Sequence, residues 1–224
     1  MKGTTARGVI WDMDGVLADT GELHYLSWTQ VLPEFGVPFS WEVFQSTFGM
    51  NNAGILALLF ERTPDPKLVA EISGRKEAAF RRAVVAAPGR VPVLPGVRDW
   101  LERLSAAGFR QAIASSAPRA NIETLVDELE LRAFFDALVS GVDLPGKPDP
   151  ATFLAAARAI GVAAGRCAVV EDAVHGVEGA RRAGMKCIAV TTTNPAAALA
   201  AADLIVDRLD ALPLDAFERL LDGV

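Results

Sequence analysis

Two carboxylates, Asp12 and Asp14, stand two residues apart where the apolar run Val9-Ile10-Trp11 ends, and Gly15 follows them. The run reads as a strand, so Asp12 and Asp14 are expected to share one face. In a parallel α/β sheet the carboxyl ends of strands border the ligand crevice, and side chains there can reach a substrate. Two acids brought together repel unless a cation or a shared proton compensates, and oxygen donors of this kind suit magnesium. Gly15 allows the sharp turn that must follow. The same four residues also fit a strand closed by an Asx turn.

Three further polar points fall where strands are expected to end. Ser115-Ser116 follows Ile113-Ala114; hydroxyls and N–H groups at a helix start suit phosphate oxygens, and they equally suit an ordinary N-cap. Lys147 lies in Gly146-Lys147-Pro148-Asp149-Pro150, a proline-fixed loop offering one cation without a basic neighbourhood. Such a lysine could hold a carboxylate and a phosphoryl group together, or be a solvated turn residue. Glu171-Asp172 follows Ala168-Val169-Val170, a second acid pair at a second strand end, with Gly176 and Gly179 in the next helix. The two pairs can together supply the oxygen ligands of one magnesium ion.

The elements that must position these residues alternate from Pro95 onward. Strands are expected near Gln111 to Ala114, Ala137 to Ser140, Cys167 to Val170, Cys187 to Thr191 and Leu204 to Val206, with helices between them. Val97, Trp100, Leu101 and Leu104 mark one amphipathic face, and Phe153, Leu154, Ala157 and Ile160 another. The pattern predicts a doubly wound parallel sheet with helices on both faces. Between the first strand and its siblings the chain reads as helices only: Glu22 to Leu32, Trp41 to Phe48, Asn52 to Arg62 and Lys67 to Val85. Pro33 should end or kink the first. An all-helical cap over 20–88, inserted into an α/β core formed by 1–19 and 89–224, is therefore expected, hinged near Asp19-Thr20 and Ala87 to Pro92.

Composition narrows the function classes. The 224 residues are 51% hydrophobic with a net charge of -6, and they show no Lys/Arg cluster. A nucleic-acid surface needs a concentrated basic footprint, so none is expected. Pro, Gly and charges interrupt every apolar run before it reaches bilayer length, and no signal-peptide pattern precedes Val9, so no membrane segment is expected. Cys167 and Cys187 fall in expected buried strands and make no disulfide framework, which points to a reducing, cytoplasmic setting. The chain is expected to act on a small molecule as a monomer or weak homodimer.

Asp12-Met13-Asp14-Gly15, Ser115, Lys147-Pro148 and Glu171-Asp172 resemble, in type, order and spacing, the four motifs of the haloacid dehalogenase-like phosphatase superfamily. The resemblance covers essentially the whole chain, and the helical block is similar to that superfamily's inserted cap. It implies a magnesium-dependent enzyme in which Asp12 takes up the phosphoryl group as an aspartyl phosphate. Asp14 would protonate the leaving alcohol and then deprotonate the attacking water, while its main-chain carbonyl joins Asp12 and Asp172 at the metal, with Glu171 reaching it through water. Ser115 and Lys147 would hold the transferring oxygens. A general acid and base at Asp14 fits a hydrolase or a mutase rather than a dehalogenase or a phosphorylated-enzyme pump.

Within the superfamily the nearest resemblance is to the beta-phosphoglucomutases and their sugar-phosphate phosphatase relatives. His24 stands where the mutases carry a histidine that gates the general acid, and Arg75-Lys76 resembles a mutase phosphate contact. Each also reads as a polar helix surface. Where the mutases offer an arginine to a distal phosphate, this chain has Gly49-Met50-Asn51-Asn52, and an amide does not replace a bidentate guanidinium. Gly49, Asn52, Lys76, Ser116, Arg119 and His24 are the expected substrate contacts, Arg119 as a partial substitute for the missing arginine, and His175 could approach the site. The expected activity is hydrolysis of a small phosphomonoester such as a sugar phosphate. A phosphohexomutase is the alternative, and a non-catalytic binding module the third reading.

Overall fold

The computed structural model describes residues 6–47, 49–86, 89 and 91–223. Its apolar runs form six parallel strands: β1 (Gly8–Trp11), β2 (Arg110–Ser115), β3 (Ala137–Ser140), β4 (Cys167–Glu171), β5 (Lys186–Val190) and β6 (Leu204–Val206). Their order in the sheet is β3-β2-β1-β4-β5-β6. From β1 the chain builds outward to β2 and β3 on one side and to β4, β5 and β6 on the other, so the direction of winding switches at β1. Ligand crevices of open parallel sheets lie beyond the carboxyl ends of strands at such a switch. Trp11 pairs with Ile113 on one side and Val170 on the other. Asp12, Ser115 and Glu171 therefore emerge along one sheet edge.

Over 20–86, after β1, the described residues form four helices: α1 (Gly21–Val31), α2 (Trp41–Thr47), α3 (Asn52–Leu59) and α4 (Pro66–Ala86). Pro33 ends regular α-helix as expected, α1 giving way to a 3₁₀ turn over Leu32–Phe35 that closes on left-handed Gly36. The expected helix from Asn52 stops at Leu59 rather than Arg62, and Phe48, Ala87 and Pro88 lie outside the described residues. Asn51 caps α3 through its side chain, which accepts the Gly54 N–H at 2.8 Å, an arrangement that stabilises a helix by about 1 kcal/mol. Pro66 starts α4 at the position where its missing N–H costs nothing.

Five helices follow in the remainder: α5 (Val97–Ala106), α6 (Arg119–Glu128), α7 (Ala151–Ala159), α8 (Val174–Arg182) and α9 (Ala216–Asp222). Alternation along the strands divides the interior into two layers. Val9, Trp11, Ile113 and Val170 face α5, α6 and α9, where Trp100 and Phe217 are buried. Ile10, Ala112, Ala114 and Val169 face α7 and α8, together with Phe153 and both cysteines. A side chain as large as Trp11 or Phe153, fully buried here, contributes roughly 1.5–3 kcal/mol to stability. The helical insertion has its own apolar cluster of Trp28, Val31, Leu32, Phe44, Ile55, Leu56 and Ile72. Its two ends nevertheless join the main core, through Leu23 of α1 and Phe80 and Val84 of α4. Among the described residues, no helix is long and apolar enough to cross a membrane.

Candidate active site

β1 ends at Trp11, so the two aspartates lie just past the strand rather than on it. The Asp12 N–H still donates to the Val170 carbonyl at 3.0 Å, after which the chain folds into a tight turn with Gly15 at φ 80°. A β-carbon at Gly15 would also run into the Asp172 carboxylate, so position 15 must be glycine on two counts. The expected common face for Asp12 and Asp14 gives way to a divergence. Asp12 turns to Lys147, Asp14 turns to α1, and both border one cavity.

On the sheet side, the Lys147 ammonium sits between Asp12 Oδ1 and Glu171 Oε1, the second contact measuring 2.5 Å. The Phe153 ring lies beneath it, 4.8 Å from Nζ to centroid. The other Glu171 oxygen accepts the N–H groups of Asp172 and Ala173, both at 2.9 Å. Gly176 makes room for that carboxylate, which any β-carbon there would meet. Asp172 is fixed from a neighbouring loop: the Thr193 hydroxyl bonds its carboxylate, and Asn194 Nδ2 donates to its main-chain oxygen at 3.0 Å. Ser115, at the end of β2, is buried, and its Oγ accepts the Ala117 N–H at 3.1 Å, which leaves its proton free to donate toward the cavity.

The charges on this side do not balance. Asp12, Glu171 and Asp172 are 8%, 1% and 1% exposed, and each offers an oxygen within 4.8 Å of the others. Burial pushes Asp12 up to about 7 even though Lys147 pulls it down, and Glu171 and Asp14 add to the rise. Burial, then Glu171 and Asp12, raises Asp172 well above the usual carboxylate range. Burial works against the Lys147 charge too, but Asp12 and Glu171 outweigh it and hold the ammonium above its ordinary value. Three clustered oxygen donors with one lysine among them leave negative charge that a hard divalent cation would neutralise, and this donor set fits magnesium.

On the helical side the groups are matched. Asp14 Oδ1 accepts the Thr20 hydroxyl at 2.5 Å and lies 3.0 Å from His24 Nε2. His24 Nδ1 is 2.8 Å from Lys76 Nζ. An ammonium can only donate, so Nδ1 accepts and the ring proton sits on Nε2, facing Asp14. Phe80 stacks on the imidazole, with centroids 4.1 Å apart, which fixes its plane. Burial pushes Asp14 up, but His24 and Thr20 outweigh it and leave the carboxyl below its ordinary value. Lys76 also donates to Glu77 at 3.0 Å, and Asn52 Nδ2 meets the same carboxylate at 2.8 Å.

The cavity thus gathers Asp12, Asp14, His24, Gly49, Asn52, Lys76, Ser115, Ser116, Lys147, Glu171 and Asp172 from separate stretches of the chain. Arg119 is not among its lining. Its guanidinium is spent on Glu123, one helical turn on, at 2.7 Å and on the Leu138 carbonyl at 2.5 Å, which corrects the expectation that it replaces the missing arginine. His175 is exposed on α8 and also outside the lining. Sequence reasoning missed Glu77 and Thr193 and treated Thr20 as a hinge alone. The one available signal for Glu77 was an acid beside a lysine in a helix, which reads as solvated surface. Thr193 carried none, being joined to Asp172 only by the fold.

Comparison with known proteins agrees with this geometry. The haloacid dehalogenase-like hydrolase family matches residues 6–184. A chloroplastic 5-amino-6-(5-phospho-D-ribitylamino)uracil phosphatase from Arabidopsis thaliana is 32% identical over 96% of this chain, which spans 58% of that protein's length. A fructose-1-phosphate phosphatase from Escherichia coli is 30% identical over 82% of this chain and 95% of its own. A beta-phosphoglucomutase from Bacillus subtilis is 29% identical, with 93% and 92% covered. The crystal structure of a beta-phosphoglucomutase from Clostridium difficile superposes with a TM-score of 0.87 at 20% identity, covering 98% of each chain, which shows the shared fold. The chain therefore belongs to the haloacid dehalogenase-like hydrolase family.

Proposed function

We propose that this protein is a magnesium-dependent phosphatase that hydrolyses a small phosphomonoester, such as a sugar phosphate, through an aspartyl phosphate on Asp12. The observation that carries the reading is the buried trio of Asp12, Glu171 and Asp172 with Lys147 seated on Asp12. Asp12, Asp172 and the Asp14 main-chain carbonyl would hold magnesium, with Glu171 behind them. The ion, when bound, would supply positive charge that keeps Asp12 ionised and offsets the transferring phosphoryl group.

In the first half-reaction an Asp12 oxygen attacks phosphorus and the ester bond breaks, while Asp14 passes a proton to the leaving oxygen. Lys147 and Ser115 hold the phosphoryl oxygens. In the second half, water attacks phosphorus and the bond to Asp12 breaks to release inorganic phosphate, while Asp14, ionised by the first half, takes the water's proton and so regains the one it gave. Thr20 and His24 keep that carboxylate aimed at the cavity. Residues 20–88 would act as the lid, hinging near Asp19-Thr20 and Ala87 to Pro92, and its closure would exclude water from the first step.

A phosphohexomutase is the second reading, favoured by the His24–Asp14 pair and Lys76. Against it, Gly49-Met50-Asn51-Asn52 brings no guanidinium to grip a second phosphate. Phosphorus NMR of the protein with magnesium, beta-glucose 1-phosphate and trace glucose 1,6-bisphosphate separates the two. Inorganic phosphate from this ester, or from a following panel of phosphorylated sugars and polyols, and absent with Asp12→Asn, is expected. Growth of glucose 6-phosphate would instead establish a mutase.

A further inference from the structure

Glu77 lies in the cavity wall, is 5% exposed, and accepts from three side chains. Oε1 accepts from Lys76 at 3.0 Å and from Asn52 at 2.8 Å, and Oε2 accepts from Asn121 at 2.5 Å. Asn121 belongs to α6 on the core side and is fully buried. Its own oxygen is held at 2.7 Å by Arg81, one turn beyond Glu77 on α4. The carboxylate is thus clamped from the helical insertion and the core together and cannot swing away from the cavity. Burial pushes Glu77 up, but Lys76 and its other partners outweigh it and hold it ionised, below the usual range.

The consequence falls on Lys76. Among the described residues lining the cavity, Lys76 and Lys147 are the lysine or arginine side chains, and Lys147 is committed to Asp12 and Glu171. Lys76 spends one donor on Glu77 and one on His24, while the Trp28 and Phe80 rings lie 5.4 and 5.7 Å from its Nζ. Its charge faces both Glu77 and Asp14, so this end of the cavity has no net positive charge to offer. The wall beside it is apolar or neutral, with Trp28, Phe44, Met50 and Asn51.

We propose that Glu77 is a specificity-determining residue: by cancelling Lys76 at the leaving-group end, it admits monophosphates of uncharged polyols and turns away esters bearing a second phosphate. The inference rests on the phosphatase reading of the site, since the transferring phosphoryl group must occupy the Asp12 end. A dianion placed at the other end would be desolvated with no uncommitted cation to compensate it, Lys76 being held by Glu77 and His24. A hydroxylated carbon chain meets no such penalty.

The test is calorimetric binding in the presence of magnesium, in an Asp12→Asn background that cannot turn substrate over. The probes are fructose 1-phosphate against fructose 1,6-bisphosphate, and glucose 1-phosphate against glucose 1,6-bisphosphate. The monophosphate of each pair is expected to bind about ten-fold more tightly or better. Adding Glu77→Gln should narrow that preference by about ten-fold, whereas Lys76→Gln, which leaves Glu77 uncompensated, should widen it. Opposite shifts from neighbouring residues are not what general loss of folding would give. Equal or tighter binding of the bisphosphates, failure of both members of each pair to bind, or a preference unmoved by either substitution would overturn the proposal. Phosphate release by the unsubstituted chain distinguishes the underlying reading. No release from these esters or from a wider panel, with the binding preference intact, sinks the hydrolase and spares Glu77. Equal release from mono- and bisphosphates does the reverse.

Discussion

The two sides of the cavity are both rich in charge, yet they treat a carboxyl group in opposite ways. On the sheet side burial raises Asp12, to about 7, and Asp172, and the one lysine shared by three acids does not offset it. On the helical side Asp14 and Glu77 are lowered, although burial pushes them up as well, because His24, Thr20, Lys76 and two amides answer them. Burial alone therefore does not decide a carboxylate's state; the balance of partners does. On the proposed reading, a cation and a phosphoryl group would complete the sheet side. The helical side is complete in itself, which suits a wall that positions a proton carrier and selects a leaving group.

The largest effect is expected at Asp12. Asp12→Asn removes the nucleophile, and phosphate release from the best substrate should fall by about 10⁴-fold or more, a size typical of losing a covalent catalyst. Next in size is the metal dependence. Asp172→Asn should abolish measurable activity at ordinary magnesium concentrations, while Thr193→Val, which only releases the Asp172 carboxylate, should weaken magnesium binding by about 10–100-fold. Magnesium affinity unchanged from the unsubstituted protein in both variants would show that the acid trio is not the metal site.

A smaller effect tests the imbalance itself, without metal. Asp12 is raised on folding, so its contribution to stability is full below its unfolded value near 3.8 and is lost as pH rises toward about 7. Without divalent ions, Asp12→Asn should therefore melt higher than the unsubstituted protein at pH 7.5, by about 5 °C, and lose that advantage near pH 4. Magnesium should restore the unsubstituted protein at pH 7.5. A variant less stable at both pH values would mean that Lys147 already balances the sheet side.

How far the sequence disclosed the molecule follows the same division. The sheet was legible because buried parallel strands are unbroken apolar runs between turns, as in Cys167–Glu171 and Lys186–Val190. The sheet side of the cavity was legible because charge at the end of such a run is conspicuous, as at Asp12, Ser115 and Glu171. The helical side was only half visible. His24 and Lys76 stood out through a resemblance, but Glu77, Asn121 and Thr193 are polar residues each tied to a partner at least 21 positions away. Nothing local marks a helical Glu beside a Lys as buried rather than solvated. Arg119 shows the converse error, since a cation at a helix start near the site has no direction in a sequence, and here it turns to its own helix and β3.

Whether Asp12 accepts a phosphoryl group with magnesium at the acid trio can be tested before any substrate is known. Beryllofluoride mimics a phosphoryl group on an aspartate, and fluorine NMR reports whether it is bound. Protein-bound resonances that need both beryllofluoride and magnesium, and that vanish in Asp12→Asn, are expected. Bound resonances that persist in Asp12→Asn, or none with magnesium and the unsubstituted chain, would contradict that role for Asp12.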